Sequence, residues 1–236
     1  MTNCTILGNF AGGLGGGVFS CGVFNSVIYY NVAPASSNYY SGTLTYCSTT
    51  PFRLGFGNIT NEPLVVDLAN GDFHLQSNSP CINSGNNAYV TAVTDFDGNP
   101  RISGGTVDIG AYEFQNPASV ISYAWLQQYG LPTDGSADFV DTDHDGMNNW
   151  QEWKAGTSPT DPSSVLRILS VTNSALGNTI AWQSISGVTY YLQRIADLGQ
   201  PFVAVQSNIY ASSTLASFTD TNTSGSGPLF YRVGVQ

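Results

Sequence analysis

One stretch of the chain combines residue types and spacing that can do chemistry. The run Asp141-Thr-Asp143-His-Asp145-Gly146-Met147-Asn-Asn149-Trp-Gln-Glu152 fits the pattern D-x-[DN]-x-[DN]-G-x5-E without a mismatch. That pattern suits calcium, a hard cation that takes about six to eight oxygen ligands. Asp141, Asp143 and Asp145 alternate, so a tight turn aims their carboxylates inward. Gly146 takes the sharp backbone bend. Met147 offers its backbone carbonyl, which leaves its side chain free to pack. Asn149 can act directly or through water, and Glu152, one turn into a helix expected over 149–155, can bind with both oxygens. The competing reading is an acidic surface turn, which leaves the crowding of like charges unexplained.

The loop is EF-hand-like, but the preceding helix is expected to end near Tyr129, too early for a true EF-hand pair. With Gly156-Thr157-Ser158-Pro159-Thr160-Asp161-Pro162 after it, the region resembles dockerin-like and thrombospondin type 3 calcium repeats. Asp134 and Asp138 are candidates for a second ion, against a reading as solvated linker. His144, between two ligands, is expected to face water.

Other candidates carry less. His74 reads as a lone strand histidine rather than a catalyst. Asp95-x-Asp97-Gly98 could be half a metal site, but Asp97 and Asp108 are better read as anchors for Arg101. Gly12-Gly-Leu-Gly-Gly-Gly17 is no phosphate loop, because no Lys follows and no strand–helix unit surrounds it. Cys4, Cys21, Cys47 and Cys81 form no CxxC pair, so a zinc site has little support. Two readings of the cysteines stay open: buried free thiols, or one disulfide, Cys47–Cys81, in an oxidising compartment.

The elements that must position these residues fall into three textures, and the fold class expected is mainly β. Residues 1–116 hold short β-prone runs separated by Gly and Asn. Asn3–Asn9 (NCTILGN) and Asn25–Asn31 (NSVIYYN) are alike, and that spacing suggests a solenoid, with a sandwich as the alternative. Residues 117–163 hold a helix that Ser119 can cap and that Gly130 and Pro132 stop, followed by the acidic connector. Residues 164–236 alternate apolar and polar positions with frequent turns, as a small antiparallel β-sandwich does. There, Ile180 and Trp182 share one face, and Leu229, Tyr231, Val233 and Val235 another.

Residues 71–114 carry a second resemblance. Leu75, Ser79, Pro80, Cys81 and Ile82, then Asp95, Asp97, Gly98 and Arg101, then Val107, Asp108, Ile109, Gly110, Ala111 and Glu113 resemble the closing segment of right-handed parallel β-helix proteins of the pectate-lyase-like group. More narrowly, they are similar to the bacterial surface proteins called choice-of-anchor Q domain proteins. The resemblance implies the C-terminal rungs of a parallel β-helix over 1–116, N-terminally truncated. The ending LFYRVGV and Trp182 resemble a fibronectin type III module.

Composition bounds the function. Charged residues make up 9% of the 236, against roughly 25% in ordinary soluble proteins, which argues against helical bundles and coiled coils. A net charge of −10 with a single lysine, Lys154, argues against nucleic acid and against a polybasic membrane site. No run approaches the length of a transmembrane helix, and no signal peptide is visible, yet the Lys-poor, Ser/Thr/Asn-rich, acidic texture suits an extracellular or bacterial cell-surface protein. Residues 1–90 offer only Arg53, Glu62, Asp67, Asp72 and His74 for acid–base work. The expectation is therefore a non-catalytic, calcium-stabilised module for adhesion or display, with surface polysaccharide as a candidate partner. The alternatives are a fragment of a polysaccharide-active enzyme, or a glycan-binding module using Tyr29, Tyr30, Tyr39 and Tyr40.

Overall fold

A computed structural model describes residues 1–223 and 228–236. Strand accounts for 32% and helix for 7%, so the protein is mainly β. The chain forms two compact units, Met1–Asp138 and Phe139–Gln236. Among the described residues no helix is long and apolar enough to cross a membrane.

The N-terminal unit contains β1 (Thr5–Leu7), β2 (Val18–Phe19), β3 (Gly22–Phe24), β4 (Val27–Tyr29), β5 (Tyr39–Tyr40), β6 (Thr43–Thr45), β7 (Ser48–Thr49), β8 (Val65–Asp67) and β9 (Asp72–Leu75). The first seven pair in parallel, as β1-β4-β7, β2-β5 and β3-β6. Thr5 faces Val27, and the same offset of 22 residues joins Asn9 to Asn31, whose side chain accepts from both the backbone and the amide of Asn9. Asn31 in turn donates to Asn38, and Asn38 to Thr50.

The bends repeat with the strands. Asn3, Asn25 and Tyr46 all take positive φ, as do Gly8 and Tyr30, and Ser20 and Ser41. Asparagine tolerates this conformation better than most residues, which accounts for its place in the repeated sequence. The glycine run has a steric cause. A side chain at Gly16 would lie 2.5 Å from the Ser37 carbonyl oxygen, and one at Gly17 would lie 2.6 Å from the Asn31 amide nitrogen.

The parallel pairing does not extend to residue 116. The sheets are two or three strands wide and do not close. After Thr49 one parallel bridge, Ser48 with Ile59, remains; β8 and β9 then pair antiparallel, and most of 76–122 is irregular. Pro51, Pro63, Pro80, Pro100 and Pro117 interrupt this part and supply no backbone donor for a ladder. The core gathers Leu7, Val27, Val65, Leu75, Ile82, Ile109 and Tyr123 in one cluster and Val18, Val23, Ile28 and Leu44 in another.

Helix α1 (Tyr123–Gln128) buries Tyr123 and Leu126. Its cap is Ser122, which accepts from the Trp125 amide, and not Ser119, whose hydroxyl is donated to Asp138. Arg101 is also anchored differently from the expectation. It donates to the carbonyls of Asp108, Gly110 and Ala111 and lies 3.6 Å from the Glu113 carboxylate, while Asp97 pairs with His74.

The C-terminal unit begins with the acidic loop and helix α2 (Asn149–Ala155). Strands β10 (Ile168–Ser174), β11 (Gly177–Gln183), β12 (Thr189–Ile195), β13 (Val203–Tyr210), β14 (Leu215–Asp220) and β15 (Phe230–Val235) follow. They form two antiparallel sheets, β10-β11-β14 and β13-β12-β15. The sheets share one core, in which Ile180 and Trp182 of β11 meet Tyr190 and Leu192 of β12. Tyr231, Val233 and Val235 pack against that core from β15, as period-2 patterning requires.

The four cysteines are free thiols, so the Cys47–Cys81 bridge is not formed. Cys47 packs with Val23 and Leu44, and Cys81 with Ile82 and Ile109. Burial pushes the Cys47 thiol up to about 11 and that of Cys81 to about 12. A thiolate reagent should therefore modify exposed Cys21 readily in the native protein and reach Cys47 and Cys81 only on unfolding. Counting thiols in denaturant should then give four; a count of two in oxidised protein would restore the bridge.

Candidate metal centre

The acidic loop is shaped by its own backbone bonds. Asn149 donates its N–H to the Val140 carbonyl and ties the loop's end to its beginning. Asn148 caps α2 by accepting from the Gln151 amide, and the Gln151 side chain accepts from Asn148 in return. This reciprocal cap fixes where the helix starts, and with it the position of Glu152. Gly146 has φ +99°, in the region that glycine favours. His144 also has positive φ and is exposed, as expected of a residue between inward ligands.

Each aspartate divides its two oxygens. Asp141 Oδ2 accepts from the Gly146 amide at 3.0 Å, Asp143 Oδ1 from Asp145 at 3.3 Å, and Asp145 Oδ1 from Met147 at 2.7 Å. The other three oxygens, Asp141 Oδ1, Asp143 Oδ2 and Asp145 Oδ2, are buried and accept no hydrogen bond. Oxygens of the three carboxylates lie within 4.8 Å of one another. Glu152 is fully buried, and neither of its oxygens has a hydrogen-bond partner.

The electrostatics follow. Burial, then the charges of Asp143, Asp145 and Asp141, push Glu152 up to about 8. The Thr157 hydroxyl beside it pulls slightly the other way, though neither Glu152 oxygen has a partner in hydrogen-bonding geometry. Stranding several anionic oxygens away from water is costly unless a cation neutralises them.

The remaining expected ligands divide. Met147 packs its side chain as expected, its sulfur accepting from the Leu166 amide at 3.4 Å. Asn149 is buried at the start of α2, and its Oδ1 accepts from the Thr142 hydroxyl at 2.9 Å. Asp134 and Asp138 do not join the cluster. Asp134 accepts from Ser136 on a turn. Asp138 is buried in the N-terminal unit, with one oxygen on the Ser119 hydroxyl and the other on the Val120 amide. Asp95 is likewise spent, on the amides of Asp97, Asn99 and Glu113.

Two features were not read from the sequence. One is Thr157, placed against Glu152 by the left-handed turn at Gly156. The other is His74, held between Asp72 and Asp97. Asp72-x-His74 was a local signal for half of it; Asp97 comes from a distant turn. Of the tyrosines, Tyr29 donates to the Thr60 carbonyl and Tyr30 to Glu62, while Tyr40 stacks on Phe19.

Comparison with known proteins adds no assignment: no family model, no curated protein and no solved structure matches the chain.

Because both Asp138 oxygens are engaged, Asp138→Ala should leave cation affinity unchanged. It should instead destabilise the N-terminal unit by about 1–3 kcal/mol, by stranding the Ser119 hydroxyl and the Val120 amide. Calorimetric cation titration and thermal melting of the variant check both halves.

Proposed function

We propose that the protein is a non-catalytic, calcium-stabilised extracellular or bacterial cell-surface module, serving adhesion or structural display. The observation that carries this reading is the set of buried carboxylate oxygens left without hydrogen bonds: one each from Asp141, Asp143 and Asp145, and two from Glu152. An all-oxygen donor set suits a hard cation, and more donors than a small octahedral ion accepts from protein favours calcium over magnesium. The Met147 carbonyl completes the protein ligands, and Asn149, occupied by Thr142, contributes through water. Calcium supplies charge neutralisation here, and the chain's part is to hold the oxygens in place.

The surrounding architecture belongs to the same reading. The 22-residue register, the asparagine ladder and the recurring left-handed bends support rungs of a parallel β-helix in the N-terminal unit, of the choice-of-anchor Q type. The loop and α2 fit a dockerin- or thrombospondin type 3-like calcium segment. The paired three-stranded sheets of the C-terminal unit fit a fibronectin type III-like module. Of the few groups in residues 1–90 that could do acid–base work, the His74 ring contacts Asp72 and Asp97 with both nitrogens, and Asp67 holds its own turn through Ala69 and Asn70.

Calorimetric titration of calcium into chelator-treated protein tests the reading. Binding should appear at a dissociation constant of about 10⁻⁴–10⁻³ M or tighter. At calcium a hundredfold above that constant, the C-terminal unit should gain about 2.7 kcal/mol. Asp141→Ala and Glu152→Gln should each weaken binding strongly. No heat and no thermal shift at about 10 mM calcium, above the range of such modules, would reject the site.

A further inference from the structure

We propose that His74 is a proton-operated staple: as imidazolium it ties strand β9 to the turn around Asp97, and loss of its proton opens that tie. The geometry requires two ring protons. Nδ1 lies 2.5 Å from Asp72 Oδ1, and Nε2 lies 2.5 Å from Asp97 Oδ2. An ionised carboxylate only accepts, and a neutral imidazole has a single N–H to give. In the neutral ring one nitrogen would aim its lone pair at an anionic oxygen.

The two contacts are not equivalent. Asp72 is on the same strand and also accepts from the His74 backbone at 3.2 Å. Asp97 lies 23 residues away in sequence, and its carboxylate has no other hydrogen-bond donor among the described residues. Asp72 stays beside the ring on the same strand in either state, so the long-range contact to Asp97 is the one that deprotonation can release. The turn keeps its internal frame, because Asp95 still accepts from the amides of Asp97 and Asn99. What opens is its outer corner.

The groups facing the ring are acidic or neutral. They are Asp72 on β9, Asp97 on the turn, and Tyr112, whose ring centre lies 4.3 Å from the imidazole and which also meets Phe96 edge-on. Behind them, Asp67 acts on Asp72, and Asp95 on Tyr112. The hydrogen bonds to Asp97 and then to Asp72 hold His74 above its ordinary 6.5, against a smaller effect of burial. The sign of the linkage follows. A raised folded-state value stabilises the fold below the unfolded value, and that contribution is lost as pH rises through the folded one. The device therefore loosens in alkaline surroundings.

Nitrogen-15 NMR of the His74 ring in the intact protein tests this. At pH 6.5, the ordinary histidine value, more than half of the His74 rings should carry both protons, and the midpoint should lie above that value. Asp97→Asn should lower the His74 midpoint. The melting advantage of wild type over His74→Gln should shrink as pH rises through the His74 midpoint. A His74 midpoint at or below the ordinary 6.5, or one that Asp97→Asn does not move, would overturn the proposal.

Discussion

A carboxylate taken out of water must find donors or a cation, and this constraint organises both units. In the N-terminal unit the donors are backbone amides. Asp108 takes those of Asn83 and Phe114, Glu113 those of Ser103 and Asp108, and Asp95 those of Asp97, Asn99 and Glu113. Arg101 threads the same region through three carbonyls, with Glu113 beside it. Burial raises Asp108 and Glu113, and the backbone bonds and Arg101 oppose it. Irregular chain thus acquires a fixed shape without a ladder of strands, because each acid collects amides from several places. In the acidic loop the same chemistry is left incomplete. The amides of Asp145, Gly146 and Met147 satisfy one oxygen per aspartate. The other oxygens, and all of Glu152, lack a donor. The loop is therefore not closed on itself, and these unsatisfied oxygens are what the proposed cation site rests on.

The parallel strands obey a different constraint. They are two or three residues long, too short to set register by themselves. Register is carried instead by the bends. Left-handed residues recur at the same offset as the strand pairs, and Asn9, Asn31 and Asn38 link successive levels through side-chain amides. Two of these asparagines are buried, so a slip by one residue would strand them as well as turn the apolar side chains outward.

How much of this was legible in the sequence depended on distance along the chain. The convergence of Asp141, Asp143 and Asp145 was legible because they are neighbours in sequence, and covalent geometry nearly dictates which side chains converge. The alternation of β11 and β15 was legible for the same reason, and those strands lie close to where the pattern put them. The offset between Asn9 and Asn31 was visible as a repeat. What depended on folding was not visible. Ser119 and Ser122 are both plausible caps in sequence, and only the arrival of Asp138 diverts Ser119. Arg101 had several nearby acids to choose from, yet its partners are mainly carbonyls, which no residue type announces. Cys47 and Cys81 could be placed inside but not paired, since burial and proximity are separate facts. The unit boundary after Asp138 likewise falls inside a stretch that composition alone made uniform.

The scarcity of charge sharpens these assignments. With 9% charged residues, the protein has few acids to spend on solubility, and the buried ones are committed to a purpose. Arg194 with Asp220 shows the ordinary solution, an ion pair joined by Tyr231 and Asn222. His74 shows a conditional one, since its ring meets two carboxylates only while doubly protonated. The loop shows the third, in which no side-chain cation pairs with the carboxylates among the described residues and, in the proposed reading, the neutralising charge comes from solution. These three differ in what removes them: loss of a side chain, loss of a proton, or loss of an ion. A protein of this composition therefore couples its local order to the medium at the sites where its own cations run out.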